Sequence, residues 1–239
     1  MAPPATLRIP ARFNGPPGSA NGGYTCGLVA AELGHEPCEV SLRAPPPLER
    51  DLALESAAEG VLVSDGATVV AQGRRSVLDL EPGEAVSTGD AAKASEHGLA
   101  RWTEAHPFPS CVVCGFDRDV TDGFRIYPGP AGEGRFAAAW TPHESLAAAD
   151  GTVEPECVWA ALDCPSSAPL ANWGEGAAIV LARLAASIDA PVMAGEPHAL
   201  VSWELGREGR KREGACVLFD SCGSVLARAQ ALWIELRES

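Results

Sequence analysis

The stretch Gly151-Thr-Val-Glu-Pro-Glu-Cys-Val-Trp-Ala-Ala-Leu-Asp-Cys-Pro165 predicts a short helix without a polar face. Thr152 is placed to cap it, and Pro155 falls in the first turn, where a missing N–H does no harm. Glu154 and Glu156 sit at the positive end of the helix dipole, which favours carboxylates. From Cys157 to Leu162 every side chain is apolar, so the helix is expected to be buried on all sides. Pro165 is expected to end it, because the residue before a proline is pushed out of the α region. Asp163 is then the one acid beyond the first turn. Burial and the dipole both disfavour it, which marks it as a candidate functional residue.

The chain around this helix has 239 residues, 46% hydrophobic and 21% charged. It can form one large domain or two smaller ones with a sizeable core. A formal charge of −14 argues against nucleic acid or an anionic membrane as the main partner. No run approaches a membrane span, and no apolar segment follows Met1, so a cytoplasmic protein is expected. The eight cysteines then read as buried thiols rather than disulfides.

Upstream, Ala5–Phe13 reads as a strand and Asn14–Gly18 as a turn. Ser19–Leu33 reads as a second small-residue helix, stopped by Gly34. Its internal Gly22, Gly23 and Gly27 each cost roughly 1 kcal/mol against alanine, so something must approach the helix closely. Strands follow at Cys38–Arg43, Asp51–Ser64 and Ala67–Leu80, the last pair split by an Asp65-Gly66 hairpin turn. Glu81–Glu104 is polar and aperiodic and reads as a connection, with one short helix around Ala91–Trp102. Downstream, Phe124–Pro128 and Arg135–Thr141 read as paired strands. Ala177–Ile188, His198–Leu205, Ala215–Asp220 and Ser224–Leu236 follow the Asp163 helix, and the last alternates with period two.

Both halves thus follow one plan of strand, buried helix, then antiparallel strands. This α+β pattern resembles the hotdog fold, here as a double hotdog with two antiparallel sheets each wrapped around a central helix. The halves are 1–88 and 106–239, with 89–105 as linker. Cys111-Val-Val-Cys-Gly-Phe-Asp-Arg-Asp-Val-Thr-Asp-Gly-Phe-Arg-Ile-Tyr127 resembles the Cys-x-x-Cys-Gly…Gly-Leu-x-Leu lead-in of thioesterase-type hotdogs. Asn21-Gly-Gly23 resembles their His-Gly-Gly helix start, with Asn for His. Family members carry an acid nine residues after that His. Here that position holds Ala30, while nine residues before Asp163 stands Glu154, without the glycines.

In such enzymes one helix start supplies amides to the thioester oxygen, and the other helix supplies the acid. The resemblance therefore implies one composite site per chain. Gly22 and Gly23 would donate to the oxyanion, and Asp163 would be base or nucleophile. Asn14 and Asn21 would position substrate, an acyl thioester with coenzyme A as part of it and no separate cofactor. Arg207, Arg210, Lys211 and Arg212 form the densest basic cluster. They are either a solvated hairpin tip or a contact for the phosphates of coenzyme A.

A non-catalytic acyl or aromatic ligand-binding module is the alternative. A hydratase/dehydratase normally needs a His beside the acid, and neither helix contains one. Cys111 and Cys114 have zinc spacing but no sequential second pair, with His97 and His106 only as single possibilities, so no metal is expected. Glu32 is a weaker second acid, and Ser166 and Ser167 could orient water. Pocket depth would depend on Trp159, Trp173, Trp203 and Trp233. Pairing of the halves within the chain implies a closed unit, with further homodimerisation possible at sheet edges or backs.

Overall fold

A computed structural model describes residues 5–34, 37–57, 60–171 and 177–237. Trp173, expected near the pocket, lies outside them. The sheet is continuous, antiparallel and eleven-stranded, where two separate sheets were expected. Its first-half strands are β1 (Thr6–Arg8), β2 (Cys38–Leu42), β3 (Asp51–Ala57), β4 (Gly60–Asp65) and β5 (Thr68–Arg75). The second half supplies β6 (Gly129–Pro130), β7 (Phe136–Trp140), β8 (Ile179–Ile188), β9 (His198–Glu208), β10 (Lys211–Phe219) and β11 (Val225–Glu235). The spatial order is β1-β3-β4-β5-β2-β8-β11-β10-β9-β7-β6.

That order is a repeat meeting itself. In the first half one strand, β1, precedes the central helix, and in the second half β7 does, with the short β6 beyond it at the edge. In each half the first strand after the helix crosses to the far side, and the remaining three fill the space between. The two crossing strands, β2 and β8, pair with each other, Cys38↔Ala186 to Ser41↔Arg183, and so fuse the halves. The central helices α1 (Gly22–Ala31) and α3 (Pro155–Ser167) lie against each other and pack on the strands of the sheet. Their buried residues form one core with Val40, Leu184, Leu200 and Leu218.

Several elements differ from the sequence reading, each for a local reason. Pro10 has no N–H for a ladder, so the first strand stops at Arg8 and a 3₁₀ turn, Ala11–Phe13, follows. The expected strand Asp51–Ser64 is the hairpin β3–β4, closed at Ala57↔Gly60. The supposed linker is mostly α2 (Thr88–Ala105), capped by Ser87, whose Oγ accepts from the Asp90 amide at 3.1 Å. Its Ala91, Ala94, Gly98 and Trp102 are buried at helical spacing, and the alanines pack on Ala137 and Ala199, on the face of the sheet away from the main core. Phe124–Pro128 is no ladder strand. Arg125 has φ 58°, and the amides of Phe124 and Ile126 bond instead to the carbonyls of Val112 and Val113.

Candidate active site

α1 opens with four amides that have no partner inside the helix. Three are accounted for within the site. The amide of Asn21, the N-cap, donates to the Phe13 carbonyl at 2.8 Å, and its Oδ1 accepts from the Tyr24 amide at 2.8 Å. The Gly23 amide donates to Oδ2 of Asp163 at 2.9 Å. Gly22 N–H makes no hydrogen bond among the described residues, and Gly22 lines a cavity of about 610 Å³. Of the two glycines expected to donate to an oxyanion, Gly22 thus keeps an open amide, while that of Gly23 is committed to the acid.

Asp163 comes from α3, but the helix is capped differently from expectation. Glu154, not Thr152, is the N-cap, with Pro155 at the first helical position. Pro165 does not end the helix, which continues to Ser167. The hydroxyls of Ser166 and Ser167 bond back to the carbonyls of Asp163 and Cys164, at 2.6 and 2.7 Å, and support the turn that carries the proline. Ser166 also accepts from Trp233 Nε1 at 3.0 Å, so it is engaged structurally rather than facing water. Asp163 is 2% exposed and lines the same cavity as Asn21 and Gly22. Its Oδ2 takes both the Gly23 amide and Asn21 Nδ2 (2.9 Å each), while buried Oδ1 has no partner among the described residues. Desolvation pushes its carboxyl up to about 7, although the bonds from Gly23 and Asn21 pull the other way.

The glycines of α1 also explain how the two helices come so close. A Cβ at Gly23 would sit 2.8 Å from the Trp159 carbonyl oxygen and 2.9 Å from Ala160 Cα. One at Gly27, a turn later, would sit 2.8 Å from Glu156 Cβ. Gly22 differs: its Cβ would meet only the side chains of Leu181 and Leu42.

The cavity is walled by Trp102, Phe108, Leu181 and Trp233. Trp102 and Phe108, from α2 and the loop after it, went unnoticed in the sequence. Trp159 is buried in the core, and Trp203 packs beside a separate cluster of Leu80, Val201 and Phe219. Arg43, exposed, stands on the cavity's solvent edge, bonded to Gln72 at 3.1 Å and without an ion pair among the described residues.

The basic cluster is elsewhere. Arg207, Arg210 and Lys211 belong to the hairpin of β9 and β10 and are not among the cavity's lining residues. Arg207 pairs with Glu204 (2.5 Å), Lys211 with Glu208 (3.8 Å), and Arg210 donates to the Glu235 carbonyl (2.9 Å). Asn14 is turned away as well. Its Nδ2 donates to the Ser110 carbonyl at 3.1 Å, and its Oδ1 accepts from Arg118, so it anchors the Cys111 loop. Glu32 is exposed at the end of α1.

Cys111, Cys114 and Cys164 are buried, and their Sγ atoms lie within 4.8 Å of one another. The first two are the zinc-spaced pair. The third, from α3, is a neighbour that sequence spacing could not show. His106 lies beside them, its Nε2 3.2 Å from Cys114 Sγ, and burial lowers its pKa to about 4.

No protein-family model and no curated protein matches the sequence. Solved structures do match over nearly the whole chain. The TesB protein of Mycobacterium avium subspecies paratuberculosis is 12% identical with a TM-score of 0.62, covering 97% of this chain and 91% of that one. A candidate thioesterase from Novosphingobium aromaticivorans is 13% identical with a TM-score of 0.61, covering 97% and 95%. At these identities the likeness shows the fold, and the fold is that of the hotdog proteins.

Proposed function

We propose that this hotdog-fold chain is a double hotdog that hydrolyses an acyl thioester, of the acyl-CoA class, in one composite site between its halves. The observation that carries the reading is the meeting of the α3 acid with the start of α1 in one largely apolar cavity. The thioester carbonyl would lie at the α1 N-terminus, where the Gly22 N–H and the helix dipole stabilise the oxyanion. The unpartnered Oδ1 of Asp163 would take a proton from water as its oxygen bonds to the carbonyl carbon. The tetrahedral intermediate would then expel the thiolate, which recovers the proton from Asp163. Direct attack by Oδ1 on the carbonyl carbon, which breaks the C–S bond, expels the thiolate and leaves an anhydride for water to open in a second step, uses the same geometry. Asn21 holds Asp163 in place, and the apolar walls would take the acyl group. Arg43 would meet a phosphate of the carrier at the solvent edge.

A panel of acyl-CoAs assayed with the wild type and Asp163→Asn tests this directly. Turnover by the wild type, and its loss in the variant with binding retained, supports hydrolysis. A second reading, a ligand-binding module, is favoured by the two hydrogen bonds that already occupy Oδ2. Tight binding with no turnover of any thioester in the panel would select it.

A further inference from the structure

The hydrolysis reading leaves three buried cysteines without a task. Cys111 and Cys164 have their sulfurs 3.7 Å apart, and Cys114 lies within 4.8 Å of both. A disulfide needs about 2.05 Å, whereas thiolates at about 2.3 Å from one tetrahedral zinc ion stand roughly 3.8 Å from each other. The Cys111–Cys164 spacing is that of two ligands around a common centre, and Cys114 lies within reach of the same point.

Hydrogen-bond donors stand beside the three sulfurs. The Gly115 amide closes the turn onto the Cys111 carbonyl at 2.8 Å. A Cβ at Gly115 would collide with the carbonyl oxygens of Pro109 and Cys111, so the loop is wound too tightly for any side chain there. This turn brings two sulfurs of a Cys-x-x-Cys pair to one side. His106 Nδ1 accepts from the Phe108 amide at 2.8 Å, which leaves its Nε2 protonated and donating to Cys114 Sγ. Asn21 Nδ2 lies 4.0 and 3.9 Å from the sulfurs of Cys111 and Cys164. N–H donors therefore approach all three sulfurs, the outer-shell arrangement that orients and stabilises metal thiolates.

We propose that Cys111, Cys114 and Cys164 bind one thiophilic divalent cation of the zinc class, with its fourth position turned to the cavity. All three cysteines line that cavity, which gives the ion an entry path and a solvent ligand. Three thiolates and one divalent ion leave a net charge of −1, which the donors from Asn21 and His106 offset. His106 is a positioning residue, because its ligating nitrogen carries a proton. The site does not depend on the hydrolysis reading, since its readout is the metal itself.

The full-length chain, purified in reductant without chelator, is expected to carry one zinc per chain by elemental analysis. Exchange for Co²⁺ should give thiolate-to-cobalt charge transfer and the intense visible bands of a four-coordinate ion. Cys164→Ser should lose the metal, and Cys222→Ser, at the one exposed cysteine, should keep it. His106→Ala should keep the stoichiometry but weaken affinity by about 10–100-fold. A folded wild type with reduced thiols, no metal and no cobalt bands would overturn the proposal, whatever the variants do. So would metal retained by Cys164→Ser, or a Cys111–Cys164 disulfide in protein kept from air.

Discussion

At the scale of single residues, the site turns on which oxygen of Asp163 is committed. Oδ2 accepts from Gly23 and Asn21, and Oδ1 has no partner. In Asp163→Asn the amide oxygen can occupy the Oδ2 position and keep both bonds, with the amide nitrogen where Oδ1 stood. Circular dichroism and the melting midpoint should therefore be retained, because a buried, desolvated carboxylate is removed and no hydrogen bond is lost. Turnover should fall by about 10²–10⁴, the usual worth of a positioned acid or base. Full activity in that variant would return Asp163 to the part of a helix cap. At the solvent edge, Arg43→Gln should raise KM by up to roughly tenfold with kcat little changed, as expected for a charge-assisted contact remote from the reacting carbon. An unchanged KM for a full CoA thioester would remove Arg43 from the site. Asp163 was legible because an acid in an apolar helix violates a local rule. Arg43 was not, because nothing in Ser41-Leu-Arg-Ala44 distinguishes a cavity edge from an ordinary strand end.

At the scale of elements, the distance between α1 and α3 sets the geometry. Gly23 and Gly27 lie one turn apart on the face that meets Glu156, Trp159 and Ala160. At Gly27 a methyl group would run into the Glu156 backbone, which cannot swing aside as a side chain can. Gly27→Ala should cost about 1–3 kcal/mol of stability, the usual price of overpacking, measurable by denaturant unfolding. It should also lower kcat although it touches no substrate, because parting the helices draws Asp163 from Gly22. A variant that melts like the wild type would contradict the close crossing. The sequence announced three glycines in a helix and hence a close neighbour, but not that the neighbour is the helix bearing the acid. One expected helix is longer than read and another does not stop where expected, for traceable reasons. α2 looks polar, yet its buried face is small: Ala91, Ala94 and Gly98 give little hydrophobic signal while packing tightly. Pro165 usually stops a helix, but the hydroxyls of Ser166 and Ser167 sustain the turn around it.

At the scale of the whole molecule, the repeated plan could be read from the order of helices and strands, whereas the single sheet could not. Sheet continuity depends on the pairing of β2 with β8, whose residues are more than 140 positions apart, and no local pattern encodes such a partner. That pairing has a thermodynamic consequence. Where two separate chains must meet to join their sheets, the folded state gains from concentration by mass action. Here the equivalent contact, Cys38–Ser41 against Arg183–Ala186, is made within one chain, together with the packing of α1 on α3. Unfolding should therefore be unimolecular. The melting midpoint should stay constant over a hundredfold range of protein concentration, and light scattering at the dilute end should give a folded species of 24.8 kDa. A midpoint that rises with concentration, or a chain that loses its structure on dilution, would mean that the fused sheet is not self-sufficient. The cavity would then need a second copy to stay closed. If the midpoint is constant, any dimer seen at high concentration joins finished units, and the site between Asp163 and Gly22 is complete in each.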